Sequence, residues 1–185
     1  EDTDRERSKQ EYVDEILASL SWLGFLWDEI YYQSKRFALY REQAERLLKE
    51  KKAYLEKTEG RGEAIIYKVT PQKIIIKDLI RGNIEFDADT IKDQVLIKSD
   101  GTPTYNFACV VDDAAMDITH VIRGEDHISN TPKQALLYQA LGFPIPQFAH
   151  LPLILGEEGG RLSKRTGATA ISDYRKMGYL SEALV

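Results

Sequence analysis

Three short runs constrain this chain more than anything else in it: "AIIYKV" at 64–69, "KIIIKDLI" at 73–80 and "DQVLIKS" at 93–99. Each is short and rich in β-branched residues, and Pro71, Gly82 and Asp100-Gly101 punctuate them, so they read as strands of a small sheet. Asp100-Gly101 is the signature of a tight turn. The flanks have a different texture. Residues 8–23 carry Tyr12, Ile16, Leu20 and Val13, Leu17 at spacings of four, with Glu11, Asp14 and Glu15 between them, which predicts an amphipathic helix. Ser8 is its expected N-cap, Glu11 its reciprocal capping-box partner, and Gly24 its stop. A second helix is expected from about Ser34 to Lys52, burying Phe37, Tyr40, Ala44, Leu47 and Leu48.

Beyond Thr104 the expected order is strand 104–111 ("TYNFACVV"), strand 118–124 ("ITHVIRG"), helix 131–141 and a short helix from Ile171–Ser172. The helix at 131–141 is well marked, with Asn130 or Thr131 as cap, Pro132 in the first turn and Gly142 at the end. Two helices, a β-rich stretch, then alternating strand and helix imply an α/β domain interrupted by a β-rich insertion.

The bulk properties narrow the setting. A chain of 185 residues suits one domain or two small ones. It has no apolar run near the roughly 20 residues needed to span a bilayer, and "EDTDRERSKQ" is no signal peptide. Cys109 stands alone, which excludes an internal disulfide and a cysteine-based zinc site. A reducing, cytoplasmic setting without a membrane is the expectation. The net charge of −5 argues against a broad nucleic-acid footprint but leaves room for a local basic face.

Three clusters carry chemistry. Glu1, Asp2, Asp4, Arg5 and Arg7 open the chain with mixed charge. In "VIRGEDH" (121–127) an expected strand delivers Arg123 at its carboxyl end, where open α/β sheets bind ligands. A guanidinium there clamps a carboxylate or phosphate through two parallel hydrogen bonds, and Gly124 permits close backbone approach. Glu125, Asp126 and His127 are consecutive, and side chains on an extended chain alternate in direction, so no metal site is assigned to them. His120 reads as structural. The third cluster, "GGRLSKRTGA" at 159–168, sets Ser163, Lys164 and Arg165 among glycines, a pattern fit to neutralise phosphoryl charge. Neither a G-x-x-x-x-G-K-[ST] loop nor Gly-x-Gly-x-x-Gly occurs.

Taken in order, "EDTDRERS", "DGTPTYNFA", "THVIRGEDHISNTPKQ", "HLPLIL" and "RLSKR" resemble bacterial-type glutamyl-tRNA synthetases, of the class I aminoacyl-tRNA synthetases. "RLSKR" resembles the class signature Lys-Met-Ser-Lys-Ser. The resemblance implies a partial Rossmann-like class I catalytic domain with an inserted α+β acceptor-binding domain. Its parts would be 1–31 and 105–156 for the catalytic halves, 32–104 for the insertion, and 157–185 for the signature loop and the start of a stem-contact region. It implies activation of glutamate by ATP and transfer to the 3′ end of tRNA(Glu), with Mg²⁺ accompanying ATP, in a monomer.

Carried over by motif, the catalytic residue would be Lys164, with Ser163, Arg165, Glu125, Leu153 and Ile154 also at ATP. Glu1, Tyr105 and Arg123 would hold glutamate, and Asp4 and Arg7 would reach the tRNA. His150 is given no chemistry.

Departures from the family pattern are equally specific. The Pro-Ser-Pro-Thr-Gly segment and His-x-Gly-His-type signature are absent, so these residues alone are expected to be inactive. "WDEIYYQSKR" and "YLEKTEGRGEAIIYKV" are shorter than in the family, and Arg161 replaces the first signature lysine. The alternatives are a paralogue that glutamylates a modified base of tRNA(Asp) and a non-catalytic tRNA-binding module. "RGEDH" and "RLSKR" favour the ligase over the first. Arg123, Tyr105 and Lys164 count against the second.

Overall fold

In the computed structural model, the described residues are 2–3, 8–58, 60, 62–87, 91–155 and 170–185. They divide into two compact units, one drawn from 1–32 and 153–185, the other spanning 33–152.

The 33–152 unit holds two sheets. Strands β1 (Ala53–Thr58) and β2 (Gly62–Tyr67) form an antiparallel hairpin from Ala53↔Tyr67 to Thr58↔Gly62. Strand β5 (Gln94–Ile97) joins antiparallel to β2, with an irregularity between Ile65 and Ile66. The second sheet runs β4-β3-β7-β6, from β3 (Lys73–Asp78), β4 (Gly82–Asp87), β6 (His120–Gly124) and β7 (Gln147–Leu151). Here β3 and β4 are an antiparallel hairpin, β6 and β7 are parallel, and β3 meets β7 at Asp78↔Phe148. Ile74, Ile76 and Asp78 alternate inward along β3, which its isoleucine run required of a one-sided strand.

Helices α2 (Phe37–Lys49), α3 (Tyr105–Ala115) and α4 (Thr131–Leu141) supply the core around Tyr40, Leu47, Phe107, Val111, Leu136 and Leu137. Tyr40, Ala44 and Leu47 are buried as expected, while Phe37 and Leu48 pack only partly against the core. A polar staple fixes α2 to α3. Asp112, nearly buried, accepts from Arg36 Nε at 2.7 Å, Tyr40 Oη at 2.7 Å and Gln33 Nε2 at 3.0 Å. Burial and the Asp112 carboxylate together push the Tyr40 hydroxyl pKa well up. Gly142 ends α4 at φ 67°, the left-handed cap its position called for. Asp100-Gly101 does make the turn: the Gly101 N–H donates to Lys98 O at 2.9 Å, and Gly101 has φ 83°.

Four expectations fail. The runs at 64–69, 73–80 and 93–99 do not share one small sheet: the first and last supply β2 and β5, whereas the middle one supplies β3 of the other sheet. Residues 104–111 are not a strand; from Tyr105 they are helix α3. Valines 110 and 111 suggested β, but Phe107, Val110 and Val111 lie at i, i+3 and i+4, one buried helical stripe, and the Asp112 staple needs that face turned inward. Ser8 does not cap α1 (Gln10–Trp22); Lys9 occupies the N-cap with no side-chain bond, and Gln10 instead donates to Asp14 at 2.8 Å. Nor does α1 bury its apolar side: none of its residues is buried, and Tyr12 and Ile16 are exposed. The same unit contains α5 (Ile171–Lys176), against which α1 packs, with Ser172 Oγ donating to Glu15 at 2.9 Å.

Candidate functional site

Parallel pairing of β6 and β7 places Arg123 beside His150. Along β6, Ile122 is exposed whereas Arg123 turns to the half-buried face, as the two-residue period demands. Arg123 Nε donates to His150 Nε2 at 3.2 Å and Nη2 donates to Thr131 Oγ1 at 2.9 Å. Its guanidinium also lies over the Phe148 ring, 5.3 Å from the centroid. Nη1 makes no hydrogen bond to the described residues. The group is therefore held on one edge and left with donors for a ligand.

Behind it the support is buried. His150 is fully enclosed, and its Nδ1 lies 2.6 Å from Asp78 Oδ2. Asp78, 3% exposed, also accepts through Oδ1 from the backbone N–H groups of Ile80 (3.0 Å), Arg81 (2.9 Å) and His150 (3.3 Å). Burial pushes its pKa up, but these hydrogen bonds outweigh that and hold the carboxyl down at about 2. The turn after β3 is thus closed on a charged acceptor that stays ionised at neutral pH.

The 3₁₀ helix Glu125–Asn130 leads from β6 into α4. This corrects the premise that Glu125, Asp126 and His127 lie on an extended chain; among the described residues no group of three His, Cys, Asp or Glu side chains is placed to hold a metal. Glu125 pairs with Arg81, whose Nε also donates to the His150 carbonyl at 3.4 Å. Gly124 has φ −65°, so it is not a left-handed position; a Cβ there would sit 2.6 Å from Asp126 Oδ1, which folds back over it. The glycine makes room for that carboxylate. On the other side, Tyr105 at the start of α3 approaches His127, with Oη and Nδ1 at 3.3 Å. Thr131 Oγ1 touches the His127 carbonyl at 3.3 Å, which links Tyr105 to Arg123 through two residues.

Of the residues singled out by sequence, Tyr105, Arg123 and Glu125 therefore share one region of the 33–152 unit. Leu153 and Ile154 belong to the other unit, the first half-buried and the second exposed. Glu1, Asp4, Arg7, Ser163, Lys164 and Arg165 lie outside the described residues. His120 is exposed at the start of β6 and bonds only to the neighbouring Thr119 hydroxyl, at 2.9 Å, among the described residues. Asp78 and Arg81 escaped the sequence reading, Thr131 entered it only as a candidate helix cap, and His150 received no chemistry from it. A cavity of about 630 Å³ near β5, lined by Gln94, Thr104, Asn106 and Lys133 among others, touches neither Arg123 nor His150.

Comparison with known proteins gives this arrangement a context. The family model for the catalytic domain of class I tRNA synthetases (E and Q) matches residues 1–65 and 56–185. Curated relatives named glutamate–tRNA ligase include those of Aquifex aeolicus, 48% identical over 223 residues, and Geobacter sulfurreducens, 48% identical over 219. Both alignments cover all of this chain but 47% of the relative, so the chain spans about half their length. Both also exceed its 185 residues, as expected if internal segments are shorter here. Among solved structures, a glutamate tRNA ligase from Elizabethkingia meningosepticum in complex with its amino acid superposes with a TM-score of 0.86 at 30% identity, covering 98% of this chain and 51% of its own. The glutamate-tRNA synthetase of Elizabethkingia anophelis gives 0.86 at 32% identity, covering 100% of this chain and 52% of its own. With a family model spanning the whole sequence, the chain belongs to the class I tRNA synthetases of the glutamate and glutamine type and carries part of their catalytic domain.

Proposed function

We propose that this chain is the central part of a glutamate–tRNA ligase, which activates L-glutamate with ATP and transfers it to the 3′ end of tRNA(Glu). The carrying observation is Arg123, fixed along one edge by His150 and Thr131 with Nη1 left toward a ligand. That is the arrangement a substrate carboxylate needs, and Tyr105, linked to Arg123 through Thr131 and His127, would line the same pocket. Glu1 would accept from the substrate ammonium group.

In the first step a glutamate carboxylate oxygen attacks the α-phosphate of ATP, and the bond to pyrophosphate breaks. The carboxylate is already anionic, so no general base is required, and rate comes from positioning and charge neutralisation. Lys164 would neutralise the departing phosphates, with Ser163 and Arg165 beside it. Glu125, together with the backbone at Leu153 and Ile154, would meet ribose and adenine. The Arg81–Glu125 pair must open or shift for Glu125 to do so. In the second step a terminal ribose hydroxyl attacks the activated carbonyl and AMP leaves. Residues 32–104 would form the insertion that receives the acceptor stem, flanked by catalytic segments 1–31 and 105–156 and followed by the signature region 157–185. Asp4 and Arg7 would lie near the tRNA end. Mg²⁺ would accompany ATP and supply charge neutralisation at its phosphates. A monomer suffices for this scheme.

The test separates two roles in the full-length protein. Lys164→Ala should slow glutamate-dependent ATP–pyrophosphate exchange with little change in glutamate KM. Arg123→Leu should raise glutamate KM strongly, because a carboxylate is left without its partner. A Lys164→Ala variant that loses only glutamate affinity would refute the phosphate assignment.

A further inference from the structure

We infer that Asp78 and His150 are positioning residues for glutamate recognition: together they fix which edge of the Arg123 guanidinium faces the ligand. This rests on the reading of Arg123 as the glutamate clamp. The logic is one of donors and acceptors. A guanidinium only donates, so His150 Nε2, 3.2 Å from Arg123 Nε, must accept. The ring proton therefore sits on Nδ1 and donates to Asp78 Oδ2 at 2.6 Å. Asp78 in turn cannot rotate, because its other oxygen accepts three backbone N–H groups at 2.9–3.3 Å. The chain Asp78–His150–Arg123 thus has one consistent direction of hydrogen bonding, from the guanidinium inward to a buried carboxylate.

Nothing in a merely structural role requires such an order. A fully enclosed histidine at the core could be filled by an apolar side chain of like volume. Thr131 makes the clamp two-pointed, since it meets both Arg123 Nη2 at 2.9 Å and His150 Nε2 at 3.1 Å. Phe148 beneath the guanidinium, 5.3 Å from its carbon, closes the remaining side. With Nε–H and one Nη2–H committed, the Nη1 protons and the other Nη2 proton are left for a substrate carboxylate.

Asp78→Asn is the most direct perturbation, because it keeps shape and reverses polarity. The amide oxygen stays with the three backbone donors, so the amide N–H₂ faces His150 Nδ1 and drives the ring proton to Nε2. There it opposes the Nε–H of Arg123, donor to donor. In the full-length protein Asp78→Asn should raise glutamate KM about tenfold or more, the scale of a lost hydrogen bond to a charged group, while ATP KM stays unchanged. His150→Leu should do the same. His150→Gln, whose amide can accept from Arg123 and donate to Asp78, should recover most of the loss. In the wild-type chain, ¹⁵N NMR of the imidazoles should report His150 as the Nδ1–H form, a reading that needs no variant to fold.

Arg123→Leu serves as the control. If it raises glutamate KM and Asp78→Asn does not, the positioning inference is overturned and the pocket stands. If neither variant moves glutamate KM, the pocket reading falls and takes the inference with it. Finding the Nε2–H form of His150, or equal loss in His150→Gln and His150→Leu, also overturns it.

Discussion

Asp78 makes a quantitative prediction about stability in acid. Its carboxylate is 3% exposed and holds the Ile80, Arg81 and His150 backbone N–H groups as well as the His150 ring. Burial raises its pKa and the hydrogen bonds more than reverse that, from an ordinary 3.8 to about 2 in the folded chain. A depressed folded pKa means the stabilisation is fully present above 3.8 and is lost as pH falls through about 2. The gap between those values is worth about 2 kcal/mol. Urea unfolding of the 185-residue chain and its Asp78→Asn variant, followed from about pH 6 to about pH 2, isolates this contribution because the other carboxylates cancel in the difference. The variant has no carboxylate to titrate at this site. The stability difference should hold steady down to about pH 4 and then shrink by about 2 kcal/mol. A difference that stays constant over that window would show that Asp78 is not held ionised by these bonds, and the geometry assigned to the turn after β3 would be wrong.

Other substitutions test other parts of the molecule. Asp112→Ala removes the acceptor shared by Arg36, Tyr40 and Gln33, so a mostly buried guanidinium loses its carboxylate partner. It should lower unfolding free energy in urea by about 3 kcal/mol. Gly62→Ala meets both a φ of 86° and the Ser99 carbonyl oxygen at 2.9 Å, so calorimetry should register a loss of about 2 kcal/mol in the β1–β2–β5 sheet. Gly124→Ala should leave unfolding free energy within about 1 kcal/mol of wild type, because the clashing atom is the end of the exposed Asp126 side chain, which can swing aside. Arg123→Lys keeps charge but forfeits the Nε–His150 bond and the planar fork; glutamate KM should rise about tenfold or more, and unchanged KM would mean that charge alone suffices.

Much of this was legible in the sequence where one local rule dominated. Pro132 and Gly142 bracket α4 because their backbones admit few alternatives, and Asp100-Gly101 makes its turn for the same reason. Arg123 was found because a charged residue at a strand's end, followed by glycine, has little structural use. The rest depended on partners distant in sequence. α3 looked like a strand until Asp112 is seen to anchor to Arg36 and Tyr40, 76 and 72 positions away. Asp78 lies 72 positions from His150, and nothing local marks either as part of one hydrogen-bonded chain. β1 and β4 carry too many charged or exposed residues for their period to stand out, and β7 buries three consecutive positions and so shows no alternation. The signature lysine, conversely, is legible only as a motif, since residues 156–169 lie outside the described structure.

Charging of tRNA with glutamate tests most directly whether this segment belongs to a working ligase. The full-length protein should be given ATP, labelled glutamate or glutamine, and tRNA, and the label mapped to the terminal ribose or to an internal base. Glutamate, and not glutamine, is expected on the 3′ end of tRNA(Glu), with the signal reduced strongly by Arg123→Leu. Label on an internal base of tRNA(Asp) would instead identify the base-modifying reaction. Charging with neither amino acid would contradict the assignment of Arg123 and Tyr105 to a glutamate pocket.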